Sequence, residues 1–293
     1  MNPVKRAASH AAVFLLWSLH FLPASWLRVL GHRLGRLLWR LGASRRHVVR
    51  TNLRLCFPDL DEAAREAIAR RNFALMGRSF VERSVLWWGS PERVRQLVRV
   101  EGIEHLRAQA GRPVILLGAH LVGMDHAVSR LSMDVDLTGI YGEQTNAVFD
   151  RMMKARRTRF GRVEAFSRQD GIKAAIDAML RGKAMMYLPD MDFGPKHAIF
   201  VPFFGVSAAT LTSLARLVAS TGAAVVPALT FAEGDGWVVR IEPAWRDYPC
   251  GDDAVDARRL NAFIEERARP AIEQYWWAHR RFKTRPPGEK KCY

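Results

Sequence analysis

The stretch PVILLGAHLVGMDHA, residues 113–127, carries the clearest structural signal in the chain. Its first half is an unbroken apolar run, which is typical of a strand buried on both faces of a sheet. A short turn containing Gly123 follows, and a helix is predicted over residues 123–133. Ligands of open α/β sheets bind beyond the carboxyl ends of the strands, so His120 is expected at a functional edge.

The same alternation of strand and helix continues through the rest of the chain. Strands are predicted over residues 113–117, 135–141, 184–188, 223–230 and 236–241, and helices over residues 123–133, 146–160, 171–181, 210–220, 254–269 and 270–277. This order predicts an α/β domain with a mostly parallel central sheet flanked by helices. The preceding part is predicted to be helical, over residues 46–56 and 61–88.

Residues 1–42 are predicted to form membrane-associated helices attached to a single domain of residues 43–293. Lys5 and Arg6 precede an apolar run over residues 11–22, which resembles a signal peptide but has no small-x-small cleavage site. The run is therefore interpreted as a retained anchor. It spans about 12 residues, fewer than the roughly 20 that a membrane-crossing helix needs.

The next segment, residues 26–41, has the pattern of an amphipathic helix. Its apolar stripe consists of Leu30, Leu34, Leu37, Leu38 and Leu41, and its basic side of Arg33, Arg36 and Arg40. Such a helix is expected to lie in the membrane interface, where each Arg near an anionic leaflet contributes about 1 kcal/mol. A helix packed against its own protein is the alternative that this pattern leaves open.

The charge of the chain is strongly basic, with 45 Lys and Arg against 29 Asp and Glu and a net charge of +16. Nucleic acid, an anionic lipid surface and an acidic protein are the partners that fit such a charge. Nucleic acid is disfavoured because the aromatic residues do not interleave with the basic ones. The three cysteines, Cys56, Cys250 and Cys292, form no disulfide or zinc pattern, which indicates a reducing, cytosolic setting.

His120 and Asp125 are the candidate catalytic pair. A strand-to-helix turn between them would let the carboxylate of Asp125 accept a hydrogen bond from one ring nitrogen, leaving the other nitrogen free as a base. Such a base suits the attack of an alcohol on a thioester, because the hydroxyl must lose its proton. The alternative is a structural pair with no catalytic role, and His126 is interpreted as a solvated or packing residue.

Four further blocks carry a family resemblance. They are RTNLRLCFP at residues 50–58, YLPDMDFGPKHAIFVPFFG at 187–205, AAT at 208–210 and EQYWWAHRRFKTRPPGE at 273–289. With the histidine motif, they make the chain resemble the late acyltransferases of lipid A biosynthesis, the lauroyl and myristoyl transferases within the lysophospholipid acyltransferase group. The resemblance spans nearly the whole chain and implies a glycerolipid-acyltransferase-like fold.

The resemblance also implies a set of substrate-binding residues. It places a functional Arg at Arg157, in a cluster with Arg156 and Arg159, and a functional acid at Asp190, which is expected to hold that Arg in place. Asp192 and Lys196 are the other members of this set. The alternative for Asp190 and Asp192 is a loop-capping turn, and a metal site is disfavoured because no other carboxylates or histidines converge on them.

Two further segments have alternative interpretations. The apolar strip at residues 200–204 is either a core strand or the lining of an acyl-chain channel. The basic C-terminal tail is either a solvated end or a dock for phosphates or an acidic carrier protein.

The activity that the resemblance implies is transfer of a fatty acyl group from acyl carrier protein to a hydroxyl of a lipid A precursor. It implies no cofactor, since the thioester is already activated, and it implies a glycolipid acceptor and membrane lipids as partners. The expected location is the cytoplasmic face of the cell inner membrane. The alternatives are a lysophosphatidate-type acyltransferase and a non-enzymatic basic membrane-binding protein.

Overall fold

The computed structural model describes residues 2–293, and eleven α-helices and nine β-strands lie within them. The helices are α1 (Pro3–Ser18), α2 (Ala24–Leu41), α3 (Ala43–Cys56), α4 (Glu62–Trp88), α5 (Pro91–Leu97), α6 (Ile103–Arg107), α7 (Met124–Leu131), α8 (Ala147–Arg157), α9 (Lys173–Leu180), α10 (Ser213–Thr221) and α11 (Asp253–Ala268). The strands are β1 (Val98–Glu101), β2 (Val114–Leu117), β3 (Leu137–Tyr141), β4 (Val163–Ser167), β5 (Ala184–Tyr187), β6 (Ala198–Phe203), β7 (Val206–Leu211), β8 (Ala224–Glu233) and β9 (Gly236–Ile241).

Seven of the strands form one central sheet in the order β1-β9-β8-β2-β5-β3-β4. Every neighbouring pair is parallel except β8 and β9, which form an antiparallel hairpin. The remaining strands, β6 and β7, pair antiparallel in a separate ribbon. The predicted fold class, a mostly parallel sheet flanked by helices, is therefore confirmed.

Strand β2 lies in the middle of this sheet and is buried on both faces. Ile115 and Leu117 belong to the apolar core on one side, and Val114 and Leu116 to the core on the other. Such two-sided burial explains why the strand is apolar without alternation. The chain leaves β2 at the carboxyl edge of the sheet, so His120 lies there as predicted.

Several elements differ from the prediction. Strands β1 and β4 at the two sheet edges were not expected, because their short sequences mix apolar and polar residues. The β6–β7 ribbon was expected only in part, through the core-strand alternative for residues 200–204. Residues 210–212 belong to β7 and the turn after it, and α10 begins only at Ser213. The helix predicted over residues 270–277 is a 3-10 segment, Arg269–Gln274, followed by irregular chain. The backbone of Ala271 is non-helical, with φ of −144° and ψ of 58°, and this interrupts the predicted helix.

Helix α2 packs tightly against α4 through glycines. A Cβ atom on Gly35 would lie 2.2 Å from the carbonyl oxygen of Phe73, and one on Gly31 would lie 2.4 Å from the Cα of Arg78. Gly77 on α4 faces the same contact, since its added Cβ would lie 2.3 Å from the backbone of Gly31 and Gly35. The two backbones are therefore in direct contact along this face.

The opposite face of α2 is exposed and is both apolar and basic. Trp26 is 64% and Leu41 73% exposed, and the three arginines of the basic side are also exposed. One face of α2 thus packs on its own protein while the other remains available to a membrane surface. Within residues 2–293, none of the helices is long and apolar enough to cross a membrane.

Candidate active site

The carboxyl edge of the sheet brings His120 against Asp190. The ring nitrogen Nδ1 of His120 donates to Oδ1 of Asp190 over 2.6 Å, and the backbone N–H of His120 donates to Oδ2 over 2.9 Å. The strand register explains this contact: Leu117 of β2 is paired with Tyr187 of β5, and each is followed three residues later by one member of the pair. Asp190 is fully buried, whereas the His120 side chain is 15% exposed.

Asp125 does not form the expected hydrogen bond with His120. It lies in the first turn of α7, and its Oδ1 accepts from Nε and a terminal nitrogen of Arg157 at 3.1 and 2.7 Å. Its Oδ2 lies 2.6 Å from a terminal nitrogen of Arg83 on α4. The predicted contact between Asp190 and Arg157 is likewise wrong, so the two carboxylates have exchanged partners relative to the prediction.

Both carboxylates are held in the ionised form. Burial alone would raise the pKa of Asp125, but the positive charges of Arg157 and Arg83 outweigh it and hold that pKa well below its usual range. Burial would also raise the pKa of Asp190, and there the His120 ring is the main group that lowers it. An ionised Asp190 can only accept a hydrogen bond, so the shared proton lies on Nδ1 of His120, and Nε2 is the ring nitrogen that is not bonded to Asp190.

A C-terminal segment forms the back wall of this pair. The backbone N–H of Trp276 donates to the carbonyl of His120 over 2.8 Å, and the His279 ring centre lies 6.4 Å from that of His120. Nδ1 of His279 donates to the carbonyl of Trp276, while its buried Nε2 has no partner. Burial lowers the pKa of His279 to about 4, so this imidazole is neutral near pH 7.

Two buried asparagines fix this wall from the helical part of the chain. Nδ2 of Asn52 on α3 donates to the carbonyls of Trp277 and His279, both at 2.8 Å. Nδ2 of Asn72 on α4 donates to the carbonyls of Glu273 and Tyr275, both at 2.7 Å. The sequence blocks around residues 50–58 and 273–289 are thus in contact, and each asparagine satisfies backbone groups that would otherwise be buried unpaired.

Arg83, His279, Asn52 and Asn72 were not identified from the sequence. A signal was present for the asparagines, since both interrupt otherwise apolar faces of predicted helices. Of the two alternatives for His126, solvated or packing, the structure shows packing: its ring stacks on Trp237 at 4.2 Å and lies 3.8 Å from a buried carboxylate oxygen of Glu82.

The other predicted substrate-binding residues lie outside the His120–Asp190 contact. Asp192 accepts hydrogen bonds from Gly194 and from the backbone and hydroxyl of Thr284, which is the turn arrangement. Lys196 is exposed, and Arg156 stacks over Trp88 at 5.5 Å. The interpretation of the strip at residues 200–204 as core holds for Phe203 and Phe204, which are buried.

A cavity of about 510 Å³ lies at the opposite, amino-terminal edge of the sheet. Its lining includes Pro113, Asp136 and Lys183 but not His120. It is therefore separate from the candidate site. Within residues 2–293, no group of three or more His, Cys, Asp or Glu side chains could hold a metal ion.

A histidine paired with a buried carboxylate at the carboxyl edge of a mostly parallel sheet fits the class of acyltransferases that act on hydroxyl acceptors. Comparison with known proteins gives the particular family. Residues 3–284 match the bacterial lipid A biosynthesis acyltransferases, and the chain belongs to this family.

Three curated relatives illustrate the similarity. The lipid A biosynthesis lauroyltransferase of Escherichia coli (strain K12) is 33% identical, with 95% of this chain and 92% of the relative covered. The myristoyltransferase of the same organism is 36% identical, with 89% and 82% covered, and its palmitoleoyltransferase is 32% identical, with 95% and 92% covered. Among solved structures, the 1-acyl-sn-glycerophosphate (LPA) acyltransferase from Thermotoga maritima has a TM-score of 0.39 and 14% identity, with 84% of this chain and 96% of that chain covered.

Proposed function

We propose that this chain transfers a fatty acyl group from an acyl carrier protein thioester to a hydroxyl of a lipid A precursor, with His120 as the general base. The observation that carries the proposal is the hydrogen bond of 2.6 Å between Nδ1 of His120 and Asp190. The family supports the reaction class and the lipid A acceptor. The acyl carrier protein donor and the general base are the parts of the proposal that go beyond what the family shows.

In the proposed reaction the acceptor hydroxyl attacks the thioester carbonyl while Nε2 of His120 takes the hydroxyl proton. Asp190, fixed against Nδ1 and the backbone N–H, stabilises the imidazolium that forms. The tetrahedral intermediate then breaks its C–S bond, and the leaving thiolate takes the proton back from His120. The products are an ester and a free thiol, so no cofactor has to supply or remove electrons.

Asp125 has a different part in this proposal from the one that its spacing suggested. It carries one negative charge between two guanidiniums, those of Arg157 and Arg83, so the cluster keeps one net positive charge. We assign this charge to the positioning of anionic groups of the substrate or of the developing oxyanion. Of the other predicted substrate-binding residues, Lys196 is exposed and Asp192 accepts from the backbone of Thr284 in the C-terminal tail.

The proposed location is the cytoplasmic face of the inner membrane, bound through the N-terminal helices. Phe14 and Phe21 are exposed at 66% and 65%, in addition to the exposed face of α2. Aromatic and apolar side chains next to arginines are the composition that binds the boundary of an anionic bilayer. A lipid acceptor would thereby stay in the membrane while it reaches His120.

The test is an in vitro assay with defined acyl carrier protein thioesters and lipid A precursors, read by mass. The wild type should add one acyl chain, and His120→Ala should lose at least about 100-fold in rate while its thermal unfolding temperature stays near that of the wild type. His47→Ala, an exposed histidine on α3, is the control. Wild-type rates in His120→Ala would refute the general base, and no product from the wild type would refute the donor or acceptor.

A further inference from the structure

The C-terminal segment, residues 276–293, is strongly basic and is folded against α3. Its only acid is Glu289, which is paired with Arg285, and α3 has no acid at all. Five exposed cations of these two segments have no carboxylate within ion-pair distance among residues 2–293, and the surface that they form is called the tail face. They are Arg45, Arg280, Lys283, Lys290 and Lys291.

Hydrogen bonds fix the tail face to the rest of the molecule. The Tyr293 hydroxyl donates to Asn52 on α3 and accepts from the backbone N–H of Phe282 over 3.2 Å. The buried guanidinium of Arg281 donates to the carbonyl of Ala209 over 2.8 Å. A freely solvated end, the alternative left open by the sequence, therefore does not describe this segment. The fold holds its positive charges near one another, and a bound negative partner would relieve their repulsion.

One side of the tail face adjoins the back wall of the candidate site. The guanidinium of Arg45 donates to the carbonyl of Ala278 over 3.1 Å. Two residues before Ala278, the backbone N–H of Trp276 donates to the carbonyl of His120 over 2.8 Å. Two hydrogen bonds and a short piece of chain therefore connect an exposed cation of the tail face to the proposed base.

A second side of the tail face adjoins the loop after β5. The ammonium group of Lys283 donates to the carbonyl of Asp192 over 3.4 Å, and the backbone N–H of Thr284 donates to the Asp192 carboxylate over 2.6 Å. Asp192 lies two residues after Asp190, the partner of His120. A protein bound to the tail face would thus lie beside the carboxyl edge of the sheet, where the candidate site is.

The composition of the tail face favours an acidic protein over a membrane as its partner. Binding in a membrane interface combines cations with exposed apolar side chains, as the exposed face of α2 does with Trp26 and Leu41. None of the exposed large apolar side chains among residues 2–293 lies in α3 or in residues 276–293. Charged groups without apolar neighbours are typical of the polar rim of a protein interface, which steers an oppositely charged partner and sets its orientation.

We propose that the tail face is the docking surface for the protein that carries the acyl thioester. This inference rests on the proposed function and adds the surface that receives the donor. Acidic side chains of the carrier, around the attachment of its thioester arm, would meet the five cations. Docking there would bring the arm beside His120, so the tail face sets the association rate and the donor preference. The transfer itself stays with His120 and Asp190.

The experiment compares two donors with the same acyl chain, an acyl carrier protein thioester and an acyl-pantetheine thioester, with one acceptor in a neutral detergent. The double variant Arg280→Gln/Lys290→Gln should lower kcat/KM for the carrier protein donor about 10-fold at low salt and leave that for the pantetheine donor unchanged. The loss should shrink as salt rises, because exposed charges are screened. Reversal of both charges, Arg280→Glu/Lys290→Glu, should increase the loss to about 100-fold.

The matched control is Arg107→Gln/Arg112→Gln, which removes the same charge from two exposed arginines that line the cavity at the amino-terminal edge of the sheet. This control should keep the wild-type preference for the carrier protein donor. Equal losses in the two double variants would assign the effect to net charge alone. An equal loss on both donors would show that the tail face is only structural, and either result would overturn the inference.

Binding of unacylated carrier protein to His120→Ala, followed by fluorescence anisotropy, gives a readout independent of turnover. Adding Arg280→Gln/Lys290→Gln to this variant should raise the Kd about 10-fold. An unchanged Kd together with weaker binding to phosphatidylglycerol vesicles would assign the tail face to the membrane and overturn the inference. Transfer from neither donor by the wild type would refute the proposed function, whereas the comparison of Kd values would still decide the docking surface.

Discussion

At the scale of single residues, the orientation of His120 is set from two directions. Asp190 accepts from its ring and its backbone N–H, while the N–H of Trp276 donates to its carbonyl. The backbone and the ring are thus both fixed before any substrate binds. In the proposed reaction, preorganisation of this kind would lower the cost of reaching the transition state, because neither group would have to reorient during proton transfer.

Replacement of Asp190 by Asn should therefore impair chemistry more than binding. The variant loses the negative charge that stabilises the imidazolium, so kcat should fall by about 100-fold or more with little change in the KM of the acceptor. Steady-state kinetics with the mass-based assay measure both quantities. Asp177→Asn, an exposed acid on α9, is the matched control and should retain wild-type rates.

Asp125→Asn provides the contrast. Removing this charge leaves the Arg83 and Arg157 guanidiniums without their shared partner, which should destabilise the fold by about 3 kcal/mol or more. If Asp125→Asn instead kept its unfolding temperature and lost all activity while Asp190→Asn stayed active, the assignment of Asp190 as the partner of His120 would be wrong.

A second residue-scale prediction concerns the pH dependence of stability. The pKa of His279 is about 4 in the folded chain because the ring is buried, against 6.5 for an ordinary histidine. The unfolded chain therefore binds a proton more readily between these values. The stabilisation from neutral His279 is complete above pH 6.5 and is lost as the pH falls towards 4, by on the order of 2–3 kcal/mol.

The variant His279→Asn isolates this effect, because Asn has no proton to gain yet can still donate to the carbonyl of Trp276. Denaturant unfolding at pH 7 and pH 4.5 should show a smaller pH-dependent loss for His279→Asn than for the wild type. His126 and His32 also have lowered pKa values and contribute with the same sign in both proteins, so the comparison cancels them. Equal losses in the two proteins would mean that His279 is not held neutral by the fold.

The residues of the candidate site were largely predictable from the sequence, but their pairing was not. His120 and Asp125 were identified from the apolar run and the turn that follows it, and Arg157 and Asp190 from the motif resemblance. The partner of His120 depends on which strand lies beside β2. Strand β2 lies between β8 and β5 and is not paired with β3, the next strand along the chain. Chain order does not determine sheet order, so spacing alone favoured the nearer acid.

At the scale of elements, the contact between α2 and α4 depends on small residues. In Gly35→Ala the new methyl group would lie 2.2 Å from the backbone oxygen of Phe73, so the helices would have to separate. Overpacking of this kind should cost about 1–3 kcal/mol. Thermal unfolding of Gly35→Ala should therefore occur at a lower temperature, whereas Ser25→Ala on the exposed face of the same helix should leave it unchanged. An unaltered unfolding temperature in Gly35→Ala would show that α2 is not seated on α4 in this way.

Periodicity identified α2 as an amphipathic helix but not which contact its faces make. The leucine stripe was the evident signal, yet the buried face is formed by Leu27, Gly31 and Gly35. Glycines add no hydrophobicity to a helical pattern, so a contact between two backbones leaves little trace in it. Long elements such as α4 were predictable to within a residue, because a capping Asp61 and the terminal Gly89 mark their ends.

At the scale of the whole molecule, the net charge of +16 and the exposed apolar face of α2 act together. In the proposed membrane association, electrostatic attraction would bring the chain to an anionic surface, and apolar contact would then retain it. Charge attraction between exposed groups is screened over about 10 Å at 0.1 M salt, whereas apolar contact is not. Salt dependence therefore separates the two contributions.

Replacing Arg33, Arg36 and Arg40 together by Gln should weaken binding to anionic vesicles by roughly 100-fold at low salt, since each Arg contributes about 1 kcal/mol. Co-sedimentation with vesicles over a range of salt concentrations measures this loss, which should shrink as salt rises. The matched control removes the same number of charges at Arg107, Arg162 and Arg181, which line the cavity at the opposite sheet edge. If both triple variants bound equally well, the attraction would arise from net charge alone, and α2 would not be the surface that meets the membrane.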